Sequence, residues 1–214
     1  MLSVTRRFVV AGATLLLAAC GGGNETRPGQ IPVSSESDIV YGNADAPLTL
    51  IEYAAVTCGA CGYFNNEVLS KIKEKYVETG KLKVITREVL YVPPAEVNLA
   101  AFAIARCAGE ENHPKVLDDL FENQTGILSA VRAGAGTQAL QAVAARHGLD
   151  KAAFEACIAN PDIKQTISDV SDVAAGLGLG TPTLYLNGRE LKGSTARTLE
   201  GLSEILDAEL ARRE

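Results

Sequence analysis

Tryptophan is absent, methionine occurs once, and there are two histidines, His113 and His147. A structural zinc site draws four Cys or His ligands from short-spaced pairs. This chain has one Cys-x-x-Cys, and its histidines lie far from it in helix-end or loop contexts, so no metal is expected. Positive charge is also scarce. Lys and Arg number 20 against 26 Asp and Glu, and removing residues 1–19, which carry Arg6 and Arg7 and no acid, leaves 18 − 26 = −8. Nucleic acid calls for a basic face, so it is not an expected partner. No internal repeat is visible. The apolar run Phe8–Ala19 is twelve residues, short of the roughly 20 that cross a bilayer as a helix.

That run follows Arg6 and Arg7 and precedes a polar, Gly-rich stretch, which is the pattern of a signal peptide over residues 1–19. Leu17-Ala18-Ala19-Cys20 resembles a bacterial lipobox, in which the cysteine carries lipid; the alternative is cleavage nearby with Cys20 left as a spare thiol. Five cysteines are present, and an odd number in an exported protein leaves one to explain. With Cys20 lipidated, Cys58, Cys61, Cys107 and Cys157 can pair completely. Residues 20–40, rich in Gly, Ser and Pro, read as a flexible tether to a membrane.

From Pro47 to Val56 the chain is almost wholly apolar, as a strand buried on both faces requires. Phe64, Val68, Ile72 and Tyr76 then recur every four residues on one face of a helix, which Gly80 ends. Leu82, Val84 and Ile85 mark a second strand, so residues 41–92 form a βαβ unit with a parallel pair. Pro93-Pro94 breaks the pattern. A helical block follows over 93–176, with segments near 97–108, 114–124, 137–147, 150–160 and 162–175. Residues 177–214 contain a hairpin, signalled by Asn187-Gly188, and an amphipathic helix through Leu199, Leu202, Ile205, Leu206 and Leu210.

Cys58-Gly59-Ala60-Cys61 sits where the first strand hands over to the helix. Unpaired N–H groups and the positive dipole end stabilise an anion there, and a thiolate is the species that attacks disulfides. Cys58, nearer the opening, is expected to attack; Cys61, one turn in, is expected to resolve the mixed disulfide. A structural bridge between them is the alternative. Glu52 lies within the apolar strand on the face of Leu48 and Leu50. A carboxyl buried there has a raised pKa and is placed to exchange a proton with Cys61, unless that face meets solvent. Cys107 and Cys157 are expected to form a disulfide in the helical block; two separately buried thiols are the alternative.

These features together resemble the thioredoxin superfamily, and within it the DsbA-like branch. The likeness runs from about Tyr41 to the C-terminus. It rests on Cys58–Cys61 after a buried strand, the inserted helical block, and Gly180-Thr181-Pro182-Thr183 opening the hairpin. The resemblance implies an α/β thioredoxin-like fold with an inserted helical subdomain. It implies a cis Pro182 beside the reactive pair, Thr181 facing the sulfurs, and a buried acid at the position of Glu52. It further implies thiol–disulfide exchange, without a cofactor, on exported proteins in the periplasm or cell envelope. A membrane redox partner would reset the pair. Pro182 starting an edge strand is the plainer alternative. Three departures bear on the direction of electron flow: Thr57 where an aromatic is frequent, Gly59-Ala60 without a histidine, and no tryptophan. Oxidase is the first reading and reductase or isomerase the second. A chaperone or assembly factor with a fixed Cys58–Cys61 brace is the rival of another class.

Overall fold

The computed structural model describes residues 30–213; the expected signal peptide and Cys20 lie outside them. Strands β1 (Val40–Tyr41), β2 (Leu48–Ala54), β3 (Leu82–Glu88), β4 (Thr183–Leu186) and β5 (Arg189–Glu190) form one mixed sheet in the order β1-β3-β2-β4-β5. Every residue of central β2 is buried, which accounts for its unbroken apolar pattern. It pairs in parallel with β3, Leu48 opposite Leu82 through Ala54 opposite Glu88, and antiparallel with β4, Glu52 opposite Leu184. The turn from β4 to β5 uses Asn187 (φ 50°) and Gly188 (φ 79°), the two left-handed residues of a type I′ hairpin.

Two helical layers cover the sheet. On one face Leu48, Leu50, Val84 and Leu184 pack against Phe64, Val68, Ile72 and Tyr76 of helix α1 (residues 59–77). Leu202 and Leu206 of the C-terminal helix, Leu199–Ala211, complete that layer. Helix α1 is continuous but widens into π-type turns over Phe64–Leu69 and Lys73–Val77. On the other face Ile51, Tyr53, Ile85 and Tyr185 meet Ile31 and Ala174.

Between β3 and β4 stand six helices: α2 (Ala95–Cys107), α3 (His113–Glu122), α4 (Gln124–Arg132), α5 (Gly136–Arg146), α6 (Lys151–Ala159) and α7 (Pro161–Gly176). This is a thioredoxin-like fold with a helical insertion. The insertion's core, including Phe102, Ile104, Leu120, Phe121 and Phe154, is continuous with Val56 and Cys61. Hence the block packs directly on the reactive turn. Asp150 caps α6 by accepting from the Ala153 N–H at 2.8 Å. Helix α4 has no counterpart in the sequence reading, because Asn123 alone separates it from α3 and Thr125-Gly126 interrupts its apolar pattern.

One boundary needs correction. The tether expected over 20–40 does not run free through the described residues: the chain is anchored to the domain at Ile31 and at Asp38. Ile31 is buried and donates its N–H to the Gly188 carbonyl at 2.9 Å. Asp38 accepts from Arg87 Nε and Nη2 at 2.9 and 2.8 Å, and both side chains are almost wholly buried. Removing one partner of such a pair leaves a buried charge uncompensated, so polar composition here reflects a specific clamp rather than a loose linker.

Cys107 at the end of α2 and Cys157 in α6 are joined by a disulfide that closes a separation of 50 residues. In the chain-entropy model such a loop is worth about 4 kcal/mol, an upper figure. Cys107→Ala/Cys157→Ala is therefore expected to fold with unchanged secondary structure and to lose about 2–4 kcal/mol in urea unfolding. A loss below about 0.5 kcal/mol would show that the bridge does not brace the block.

Candidate active site

Strand β2 delivers the chain into a tight turn in which the Cys58 N–H bonds the Ala55 carbonyl at 3.1 Å, and the Gly62 N–H bonds the Cys58 carbonyl at 3.0 Å as α1 begins. Cys58 is the extended residue (φ −83°, ψ 115°) just before the helix. Its sulfur stands beside the first helical N–H groups, which have no partner within the helix. Cys58 is partly exposed and Cys61 is completely buried; both carry free thiols. Gly59 and Ala60 are exposed, and a Cβ built on Gly59 would meet nothing within 4 Å. The rim above Cys58 is open to a partner.

The two thiols are driven apart electrostatically. Cys58 is lowered to about 5, first by hydrogen bonding from the Cys61 side chain, then from the Thr181 side chain and the Cys61 and Ala60 backbone N–H groups, against the opposing effect of burial. Cys61 is raised far above an ordinary thiol, because it is the donor to Cys58, is desolvated, and lies near Glu52. One sulfur is thus a thiolate at neutral pH, and the other holds its proton.

The peptide bond Thr181–Pro182 is cis, and the Cys58 thiol, when protonated, donates to the Thr181 carbonyl at 3.4 Å. The loop is held from behind. Arg197 donates from Nε and Nη2 to the Pro182 carbonyl at 3.1 and 2.9 Å, and Thr183 Oγ1 donates to the Gly180 carbonyl at 2.7 Å. Glu52 is fully buried, with Oε1 accepting from Asn65 Nδ2 at 2.9 Å and Oε2 lacking a partner. Burial raises its pKa to about 8, only partly offset by Asn65 and Lys73. Cys58 and Thr181, both partly exposed, therefore meet at the rim of the site, with Cys61, Pro182 and Glu52 buried beneath them. Cys107–Cys157 lies apart, within the helical block.

Three polar residues around the turn were not singled out in the sequence. Asn65 Nδ2 bonds both Glu52 and the Cys61 carbonyl, the latter at 3.0 Å. Asn98 of α2 accepts from the Thr57 N–H at 2.9 Å and donates to Thr57 Oγ1 at 2.9 Å and the Val92 carbonyl at 2.7 Å. Gln124 of α4 donates to the Val56 and Cys58 carbonyls at 2.7 and 2.8 Å. For Asn65 a signal existed: a short amide interrupts the apolar face of α1 one turn after Cys61. Both histidines lie at helix ends. His147 follows α5 and bonds Asp119 at 2.8 Å. His113 opens α3 and is buried, and desolvation lowers it to about 3, so it is neutral.

Glu52 makes a testable contribution to stability. Its carboxyl binds a proton more tightly in the folded chain than in the unfolded one, whose ordinary value is 4.5. Folding is then favoured while the group is protonated and loses stability as pH rises from about 4.5 to about 8, beyond which the loss is complete. Glu52→Gln removes this slope. The variant is expected to gain about 3–5 kcal/mol over wild type at pH 8.5 relative to pH 4.5, read by urea unfolding of the reduced proteins. Parallel stability profiles would contradict the raised pKa.

The geometry can be set beside known proteins. The family model described as Thioredoxin matches residues 34–208. A protein of Rickettsia bellii named putative protein-disulfide oxidoreductase is 27% identical over 155 residues, covering 72% of this chain and 58% of that protein. The chain thus spans little more than half the length of that relative. Disulfide bond formation protein D of Bacillus subtilis is 24% identical over 203 residues, covering 87% of this chain and 85% of that one. Among solved structures, Wolbachia pipientis alpha-DsbA1 superposes with a TM-score of 0.73 at 26% identity, covering 85% of this chain and 96% of that chain. The matched model takes in the whole sheet, the reactive turn, the helical insertion and the cis-proline loop, and the chain belongs to the thioredoxin family.

Proposed function

We propose that this protein exchanges thiols and disulfides on exported proteins, and that it works as an oxidase through Cys58 and Cys61. The observation that carries the reading is the asymmetry of the pair: a partly exposed Cys58 lowered to about 5 beside a buried Cys61 that keeps its proton. A purely structural brace has no use for such a division, and the half-open Cys58 argues against one.

In the oxidising direction a substrate thiolate attacks Cys58 Sγ of the Cys58–Cys61 disulfide. The S–S bond breaks, its electron pair goes to Cys61, and a mixed disulfide links the substrate to Cys58. A thiolate at the buried Cys61 position is poorly solvated, so it takes up a proton; Glu52, protonated below about 8, is the nearest acid and supplies it. A second substrate thiolate then attacks the substrate sulfur of the mixed disulfide and expels Cys58. Its low pKa makes Cys58 a good leaving group. The substrate leaves with a disulfide, and the protein is left reduced, with Cys58 as thiolate and Cys61 as thiol. A membrane oxidant must then remove two electrons from it. Thr181 and Pro182 lie beside Cys58, where the loop offers its backbone to an extended substrate segment. Lipid on Cys20 would hold the domain at the envelope membrane.

The names of the Rickettsia bellii and Bacillus subtilis relatives support exchange as the chemistry. The oxidase direction rests on the stabilised Cys58, because a disulfide oxidises to the extent that its reduced form is stabilised. Gly59 and Ala60 supply backbone donors but no side-chain charge. The expected potential is therefore intermediate, between about −270 mV, typical of a reductase, and about −120 mV for the strongest oxidases. Equilibration of the purified domain with glutathione buffers measures it. Rapid acid trapping of thiols in cells then reports the resident state. An oxidase is found mostly disulfide-bonded; a pair found mostly reduced would overturn the direction in favour of reductase or isomerase. Cys61→Ser is expected to accumulate mixed disulfides with clients through Cys58, whereas Cys58→Ser forms none.

A further inference from the structure

We propose that Gln124, the first residue of α4, is a positioning residue through which the docked helical block sets the reactivity of Cys58. The inference rests on the exchange reading above and adds a residue and a route to it.

One amide nitrogen, Gln124 Nε2, donates to the carbonyls of Val56 and Cys58 at 2.7 and 2.8 Å. These carbonyls flank the Thr57–Cys58 segment on both sides, so a single group from another element fixes the orientation of the reactive turn. The Cys58 carbonyl also accepts the first helical bond, from Gly62 N at 3.0 Å. The Val56 carbonyl lies past the end of β2, beside a side chain that is almost wholly buried. A buried carbonyl without a donor is unfavourable, so in the absence of Gln124 the turn would rotate to find one. The Ala60 and Cys61 N–H groups that hold the Cys58 thiolate belong to that turn, and rotation would misdirect them.

The site is shaped to admit this side chain. Gly62 faces Gln124 so closely that a Cβ there would collide with Gln124 Oε1 and stand 2.7 Å from its Cδ. Glycine inside a helix is otherwise unfavourable relative to alanine, and here it makes room for the amide. Gln124 is itself buried, and α4 packs on α3 and α5 within the insertion. A shift of α4 therefore reaches the Cys58 backbone directly through these two hydrogen bonds. Asn98 of α2 holds the intervening residue from the other polarity, accepting from the Thr57 N–H, so the block grips the turn at successive points.

The experiment compares wild type with Gln124→Met, which keeps length and flexibility but removes the donor. The readout is the pH dependence of Cys58 alkylation in the reduced full chain, resolved by mass mapping, with circular dichroism as the control for folding. The midpoint is expected to rise by about half to one unit, leaving about three- to tenfold less thiolate at a pH below both midpoints. A midpoint unchanged within about 0.2 unit in a folded variant would overturn the inference. Should Gln124→Met fail to fold, Gly62→Ala carries the test. It displaces the amide without removing it and is expected to raise the midpoint in the same direction; an unchanged midpoint would again overturn the proposal. The underlying reading fails differently. A wild-type midpoint near the ordinary ~8.5 would overturn exchange through Cys58 itself, whereas equally low midpoints in wild type and variant would overturn only the role of Gln124.

Discussion

The structure depends on one electrostatic constraint: a negative sulfur must be held at the start of a helix while its partner one turn later stays neutral. The first N–H groups of α1 are free because no preceding turn exists to accept them, and the Cys58 thiolate occupies their field. Three residues further on, the same helix has entered the core, where Cys61 meets apolar side chains and Glu52 instead of water. The spacing of two residues between the cysteines places one sulfur in each environment. Strand β2 must therefore be buried to its end, and the opposite side of the turn must be left open, as the exposure of Gly59 and Ala60 shows.

Buried charge separates the structural from the reactive parts of the molecule. Arg87 is paired with Asp38, and Glu88 with Arg106, at 2.8 and 2.6 Å; each of these charges is held by an opposite one. Glu52 is the exception. It lies in the centre of the sheet with a neutral amide as its hydrogen-bond partner and one oxygen unpartnered. A carboxyl so placed is held as the acid, and it disfavours folding at alkaline pH. An amide there would remove that alkaline cost, because it cannot ionise.

Much of this was legible in the residues. The unbroken apolar run of β2, the Cys-x-x-Cys at its end, the four-residue period through Tyr76 and the Asn187-Gly188 turn each follow from local rules, and together they point to the fold. Glu52 stood out because it alone is charged in that run. Other features escaped because they depend on long-range meetings. Gln124 reaches the turn from 66 positions away in sequence, and a lone glutamine at a helix start carries no mark of its partners. Asn98 is similar. The stretch from Gln30 to Val40 looked like linker by composition, but Asp38 pairs with Arg87 and Ile31 bonds the hairpin. Helix α4 was hidden because Thr125 and Gly126 are poor helix formers, and packing against α3 and α5 overrides that preference.

The division of labour between the two sulfurs can be read directly. The reduced domain is treated with limiting iodoacetamide at pH 6.5, the reaction is stopped early, and each cysteine is quantified by peptide mass mapping. With Cys58 at about 5 and Cys61 raised and buried, nearly all label is predicted on Cys58, at a rate that falls only when the pH approaches 5. Equal labelling of the two cysteines, or a Cys58 rate still rising toward pH 8.5, would contradict the account.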